Sequence, residues 1–153
     1  MVAQQQATTS RLQFCGIVGA GTAVGALCRF ETGKALGKYW GGGDLLATAI
    51  VNILGSFIIM MFATLTAPGG RYPKSERTRQ FVMAGFCGGY TTRSLMGLNT
   101  FYLLIEGDWL SGAAYVVGVV GFSLAGALLG YGLALALNNG SDLAAVKECR
   151  SLS

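Results

Sequence analysis

The sequence predicts an all-α membrane protein with four transmembrane helices, the third of them broken at its centre. Three observations predict it. Only 12% of the 153 residues are charged while 52% are hydrophobic, and soluble domains carry roughly 25% charged residues. The hydrophobic residues gather into four long segments separated by short polar ones. The third segment then carries a stretch that a plain lipid-facing helix has no use for, Gly85-Phe86-Cys87-Gly88-Gly89-Tyr90-Thr91-Thr92-Arg93-Ser94. Adjacent glycines are costly inside a helix, and the Thr-Thr pair offers hydroxyls that compete with the helical ladder. Irregular backbone at membrane depth is tolerated only where protein or water covers it. The stretch therefore reads as a helix break with free carbonyls, facing a partner helix, an ion or a water-filled path. Arg93 strengthens that reading, because a charge at this depth marks a functional site by default.

The chain reads as a single four-span domain over residues 1–153, with spans at about 12–30, 45–67, 81–105 and 110–138. Residues 1–10 are polar and are expected to fray. Leu12 to Cys28 gives 17 uncharged residues, the short limit for a span. A cleaved signal peptide is rejected, because the run is Gly-rich, ends in Arg29 and precedes three further apolar segments. Small residues at Gly16, Gly19 or Ala20, Ala23, and Ala26 or Cys28 suggest close helix contact. Residues 30–44 read as a loop, with Tyr39 and Trp40 as interfacial anchors and Gly41-Gly42-Gly43 as a flexible joint.

Leu45 to Gly70 contributes 26 uncharged residues, ended by Pro68. Thr48, Asn52 and Ser56 recur every four residues and so share a helical face. Asn52 reads either as interhelical glue worth about 1 kcal/mol or as a pore-lining donor; a polar stripe favours the second. In the third segment Arg93 leaves 13 uncharged residues on one side and 12 on the other. Neither half spans alone, so Arg93 lies near mid-membrane if the segment crosses. Trp109 to Ser141 supplies 33 uncharged residues for the fourth span. Within it Gly126 and Gly130 have the GxxxG spacing of tight helix packing, and Asn138-Asn139-Gly140-Ser141-Asp142 is expected to stop the helix.

Several classes drop out. The chain has no histidine, which excludes His-based metal sites and triads. Cys15, Cys28, Cys87 and Cys149 show no C-x-x-C pairing, so neither a disulfide frame nor a zinc site is inferred. The net charge of +4 reads as membrane orientation, with no nucleic-acid partner. With four spans, one side holds Arg11, Arg71, Lys74, Arg77, Arg79, Lys147 and Arg150, and the other Arg29, Lys34 and Lys38. That bias of seven to three predicts both termini in the cytoplasm of an inner-membrane, multi-pass protein. An enzyme is the least supported class, for want of a nucleophile–base pair or metal cluster.

These residues resemble the Fluc/CrcB family of fluoride channels over nearly the whole four-span region. Gly25-Ala26-Leu27-Cys28-Arg29 is similar to the family's GAxxR. Thr48 with Val51-Asn52-Ile53-Leu54-Gly55 is similar to its TxxVNxxG. Residues 85–92 are similar to its GFxGGxTT, and Gly107-Asp108-Trp109 fits the loop that follows. The resemblance implies an antiparallel dimer of four-helix subunits, fluoride as the permeant ion, and a passive export route that relieves fluoride toxicity. It implies a structural sodium ion held by the main-chain carbonyls of Gly88 and Thr91. Asn52, Ser123, Thr92, Ser94, Arg93 and Met96 carry over as the anion pathway, and Arg29 as the vestibule cation.

One departure is large. The family continues TTFS(T/S)F, whose two phenylalanines meet the anion with electropositive ring edges. Here Arg93 replaces the first, Met96 the second, and Leu95 a hydroxyl; Ala127 also stands where many members have a serine. Three readings follow. The chain is one half of a heterodimer with an oppositely oriented paralogue, as the charge bias suggests. Or Arg93 itself binds the anion in a homodimer. Or the anion differs. From other classes, a small multidrug-type exporter would want a membrane carboxylate, and every Asp and Glu lies in a loop, a span end or the tail. A non-conducting regulatory subunit would co-purify with a channel without carrying flux.

Overall fold

A computed structural model describes the backbone of residues 2–40 and 43–151, and the side chains of residues 13–39 and 43–138. The described residues are helical throughout apart from short connections. In order they form α1 (Val2–Trp40), α2 (Gly43–Leu65), α3 (Glu76–Gln80), a π-helical segment (Phe81–Cys87), α4 (Gly88–Tyr90), α5 (Arg93–Ile105) and α6 (Trp109–Ser151).

Among the described residues, three stretches are long and apolar enough to cross a bilayer: Gln13–Tyr39 with 27 residues, Gly43–Leu65 with 23 and Trp109–Asn138 with 30. At 1.5 Å per residue each reaches the roughly 30 Å hydrocarbon core. Their apolar side chains point outward on every side. Phe122, Leu124, Leu128 and Leu129 of α6 are all more than 60% exposed. No water-soluble monomer presents such a surface, and a bilayer accommodates it.

The helix ends differ from the sequence reading in three places. Residues 30–40, expected as loop, continue α1 to Trp40. Glu31 and Lys34 form an i,i+3 pair at 3.4 Å, and the Lys34 ammonium lies 5.1 Å from the Phe30 ring centre. The charges that signalled a loop are thus side chains reaching out from a helix. At the other end, α1 starts at Val2, ahead of the span expected from residue 12. The stop expected at 138–142 is absent from the backbone, which stays helical to Ser151. No proline lies there, and Asp142 to Ser151 is rich in helix formers. Of the glycine joint, Gly41 and Gly42 lie outside the described residues, and Gly43 has φ +61°.

Two glycine seams set the helix spacing. On α1 the contact runs through Gly21 and Gly25, not through Gly16 and Gly19, beside which there is open space. A Cβ at Gly21 would meet the Phe81 carbonyl oxygen at 2.5 Å, and one at Gly25 would run into the Phe86 carbonyl. From the other side, a Cβ at Gly89 would strike the Thr22 carbonyl. The second seam joins α2 and α6: Gly126 faces the Ile53 carbonyl, and Gly130 faces that of Phe57. Without lipid-excluding side chains between them, backbones approach until van der Waals contact holds them.

The connections close the ends. Ser75 caps α3 by accepting from the Thr78 amide. The Arg71 amide donates to Asn138 Oδ1 at 2.9 Å, and its guanidinium donates to the Leu137 carbonyl at 3.3 Å, tying the α2–α3 loop to α6. Asp108 accepts from the Ser111 amide at 3.1 Å at the start of α6. Hydrogen bonds from Ser111 hold that carboxyl below the ordinary carboxylate range.

Candidate functional site

The helical path from α3 to α5 is interrupted where the glycines and threonines stand. The last bond of the incoming ladder runs from the Thr91 amide to the Cys87 carbonyl at 3.0 Å. Thr91 (φ −78°, ψ 156°) and Thr92 (φ −147°, ψ 114°) are extended, and α5 starts afresh at Arg93. The carbonyls of Gly88, Gly89, Tyr90 and Thr91 therefore lack the amide of the next helical turn.

Two of the amides that would have served them are held by side chains. The Thr92 amide, the natural donor to Gly88, donates to Asn52 Oδ1 at 2.9 Å. The Leu95 amide, the natural donor to Thr91, donates to Thr92 Oγ1 at 3.3 Å. Gly88 and Thr91 are the two residues whose carbonyls the family resemblance implies for a sodium ion. Their environment fits a hard cation, which takes oxygen ligands.

Asn52 is 8% exposed. Its amide nitrogen donates to the Thr92 carbonyl at 3.0 Å and to the Thr48 carbonyl at 2.8 Å. Both donors and the carbonyl oxygen of this carboxamide are thus engaged, and α2 is pinned to the break.

Above Asn52 lies a cavity of about 440 Å³ whose lining includes Arg29, Lys34, Asp44, Thr48 and Thr92. Arg29 is half-buried and forms no ion pair among the described residues. Lys34 leans on Glu31 in an exposed pair, which contributes little. With Lys34 paired to Glu31, Arg29 is the lining cation with no ion pair among the described residues, and Asp44 is the lining carboxylate. The cavity brings Arg29 and Thr92 together, with Asn52 one helical turn from Thr48.

Arg93, Met96, Ser94 and Ser123 do not line that cavity. Arg93 and Ser94 are exposed and Met96 is half-buried. Arg93 is the first residue of α5, where the helix dipole already contributes positive potential. Ser94 Oγ lies 3.2 Å from Thr92 Oγ1. Ser123 on α6 carries a buried hydroxyl with no hydrogen-bond partner among the described residues.

The sequence reading missed Asn99 and Tyr115. Asn99 is 7% exposed. The two hydrogens of its amide are shared among three acceptors at 3.3 Å, the Asp44 carbonyl, Thr48 Oγ1 and Tyr115 Oη. Tyr115 Oη donates in turn to the Leu45 carbonyl. The pair links α5 and α6 to the start of α2 beside the cavity. A buried Asn in an apolar segment was the signal available, the same one that singled out Asn52.

Comparison with known proteins places the chain. The model of the family described as CrcB-like protein, Camphor Resistance (CrcB), matches residues 16–131. A protein named fluoride-specific ion channel FluC 3 in Brucella abortus is 49% identical over 126 residues, covering 82% of this chain and 90% of its own length. Fluoride-specific ion channel FluC 1 of Bradyrhizobium diazoefficiens is 45% identical over 121 residues, covering 79% and 84%. Fluoride-specific ion channel FluC of Opitutus terrae is 40% identical over 122 residues, covering 80% and 92%.

Proposed function

This chain belongs to the CrcB-like family, and from that premise we propose that it is a subunit of a fluoride-specific ion channel, a multi-pass membrane protein and not an enzyme. The channel lets fluoride leave the cytoplasm passively and so relieves its toxicity. One observation carries the site: an interrupted helix beside a cavity lined by Arg29, with side chains holding the amides that the Gly88 and Thr91 carbonyls would otherwise use.

In this reading the segment from α3 through α5 is the remaining membrane crossing, third of four in chain order. Irregular backbone is tolerable at that depth because α1, α2 and a second subunit cover it. Two subunits pack antiparallel in the inner membrane. The carbonyls of Gly88 and Thr91 would hold a sodium ion, whose charge would offset the dipoles of those unpaired carbonyls. Arg29 attracts fluoride into the cavity. Thr92, Ser94, Arg93, Met96 and Ser123 supply the pathway, and Asn52 contributes to it by fixing Thr92.

Arg29→Gln should lower fluoride flux about tenfold at low ionic strength and less at high salt, since the cation acts through a screened field. Flux from loaded liposomes at two salt concentrations checks this. A deficit that ignores salt refutes the vestibule role.

Arg93 stands where ring edges would otherwise meet the anion. Its guanidinium donates charge-assisted hydrogen bonds worth roughly 1.5 kcal/mol or more. Arg93→Phe should therefore raise the fluoride concentration for half-maximal flux about tenfold. A variant silent in both flux and dimer stability rules Arg93 out of the pathway.

A second assembly is favoured by the seven-to-three bias of Lys and Arg. One chain with a strong orientation preference pairs antiparallel with a paralogue of opposite bias more readily than with itself.

A further inference from the structure

We infer that Asn52 is a positioning residue for the sodium site: by gripping Thr92 with both ends of its carboxamide, it keeps the Gly88 carbonyl available to the ion. The inference rests on the sodium reading above and adds what sets the ion's affinity.

A helix continuing past Tyr90 would return the Thr92 amide to the Gly88 carbonyl. Here that amide donates to Asn52 Oδ1 at 2.9 Å. The Asn52 nitrogen simultaneously donates to the Thr92 carbonyl at 3.0 Å, so the peptide groups on both sides of Thr92 are held. A further bond to the Thr48 carbonyl at 2.8 Å anchors the side chain to its own helix. At 8% exposure, water has little room to replace these bonds. Few side chains offer an acceptor and two donors at this reach; leucine has the same shape and neither. Remove the carboxamide, and the Thr92 amide turns to the nearest unsatisfied acceptor. The Gly88 carbonyl, one helical turn back, is that acceptor, and the ion then has to compete with a hydrogen bond. Losses of such outer-sphere partners typically weaken metal binding about 10- to 100-fold.

The test is a sodium titration of the purified full-length chain in detergent, with N-methyl-D-glucamine holding ionic strength constant. Two readouts are taken: the thermal unfolding midpoint and the ²³Na NMR linewidth. Saturable stabilisation of the wild type gives the half-saturating sodium concentration. Asn52→Leu should raise that concentration about 10- to 100-fold. Asn52→Asp, which still accepts from the Thr92 amide, should leave it no higher than the wild type. If Asn52 is merely structural, Asn52→Leu lowers the melting temperature equally at every sodium concentration and leaves half-saturation unmoved; that overturns the inference. So does an equal rise in Asn52→Asp and Asn52→Leu. Should Asn52→Leu fail to fold, Asn52→Ser, too short to reach Thr92, carries the same expectation. Absence of any saturable sodium effect in the wild type is a different outcome. It removes the sodium reading itself, and the inference with it.

Discussion

Gly25→Ala is expected to destabilise the protein by about 3 kcal/mol or more, while Gly16→Ala, nine residues earlier on the same helix, is expected to be harmless or mildly stabilising. The difference is one of surroundings. A Cβ at Gly25 collides with the Phe86 carbonyl and lies 2.8 Å from the Tyr90 amide nitrogen. Both are backbone atoms of the segment that leads into the break, so no flexible side chain can move aside. Overpacking typically costs 1–3 kcal/mol, and backbone against backbone falls at or above the top of that range, about 3 kcal/mol or more. Gly16 has open space around it, and Gly→Ala in an unobstructed helix gains up to about 1 kcal/mol. Size-exclusion profiles of the detergent-solubilised variants, followed by thermal melts, check the pair. A monodisperse Gly25→Ala protein with wild-type stability would mean that α1 does not sit where it is described.

The second large effect is at Asn52. Asn52→Leu keeps the volume but leaves the buried Thr92 carbonyl without its donor, and the Thr92 amide finds another acceptor only by distorting the break. An unsatisfied buried group costs about 1–3 kcal/mol, so the loss should be at least of that size. Ser56→Ala, one turn further along the same polar stripe, forms no comparable contact and should stay within about 0.5 kcal/mol. Thermal melts at saturating sodium compare the two. Equal stability of Asn52→Leu and the wild type would mean that the Thr92 contact does not hold the break.

Part of this was legible in the sequence. Gly88-Gly89 followed by Thr91-Thr92 announced an interruption, because each residue type disfavours a continuing helix for its own reason. The stripe of Thr48, Asn52 and Ser56 put α2's polar face on one side. The stripe could not show what that face meets. Asn52 bonds to a residue 40 positions later, and only the fold decides whether such a donor meets a peptide group or an ion. Asn99 and Tyr115 were missed for the same reason, since their partners lie on other helices. Glycine is common on several faces of α1, so spacing alone did not separate Gly21 and Gly25, which touch a neighbour, from Gly16 and Gly19, which do not. The far end of α1 was misread because charged residues were taken as loop markers, although Lys34 and Glu31 pair along a helix.

The interrupted segment also explains why, among the described residues, three stretches are long and apolar enough to cross. Arg93 and the break divide the remaining apolar residues into pieces too short to span alone. On the proposed reading, that segment crosses only within an assembly that covers it, which would tie the chain's membrane topology to its oligomeric state.

The most direct test of the central claim is fluoride release from liposomes containing this purified chain, read with a fluoride electrode. It is run once with the chain alone and once with a co-purified paralogue bearing phenylalanine at the Arg93 and Met96 positions. A channel subunit releases fluoride well above protein-free liposomes in at least one arm, and chloride in neither. Release by the chain alone assigns the work of the missing rings to Arg93 and Met96, whereas release only with the paralogue assigns the heterodimer. A folded, monodisperse protein that releases no fluoride in either arm contradicts the account.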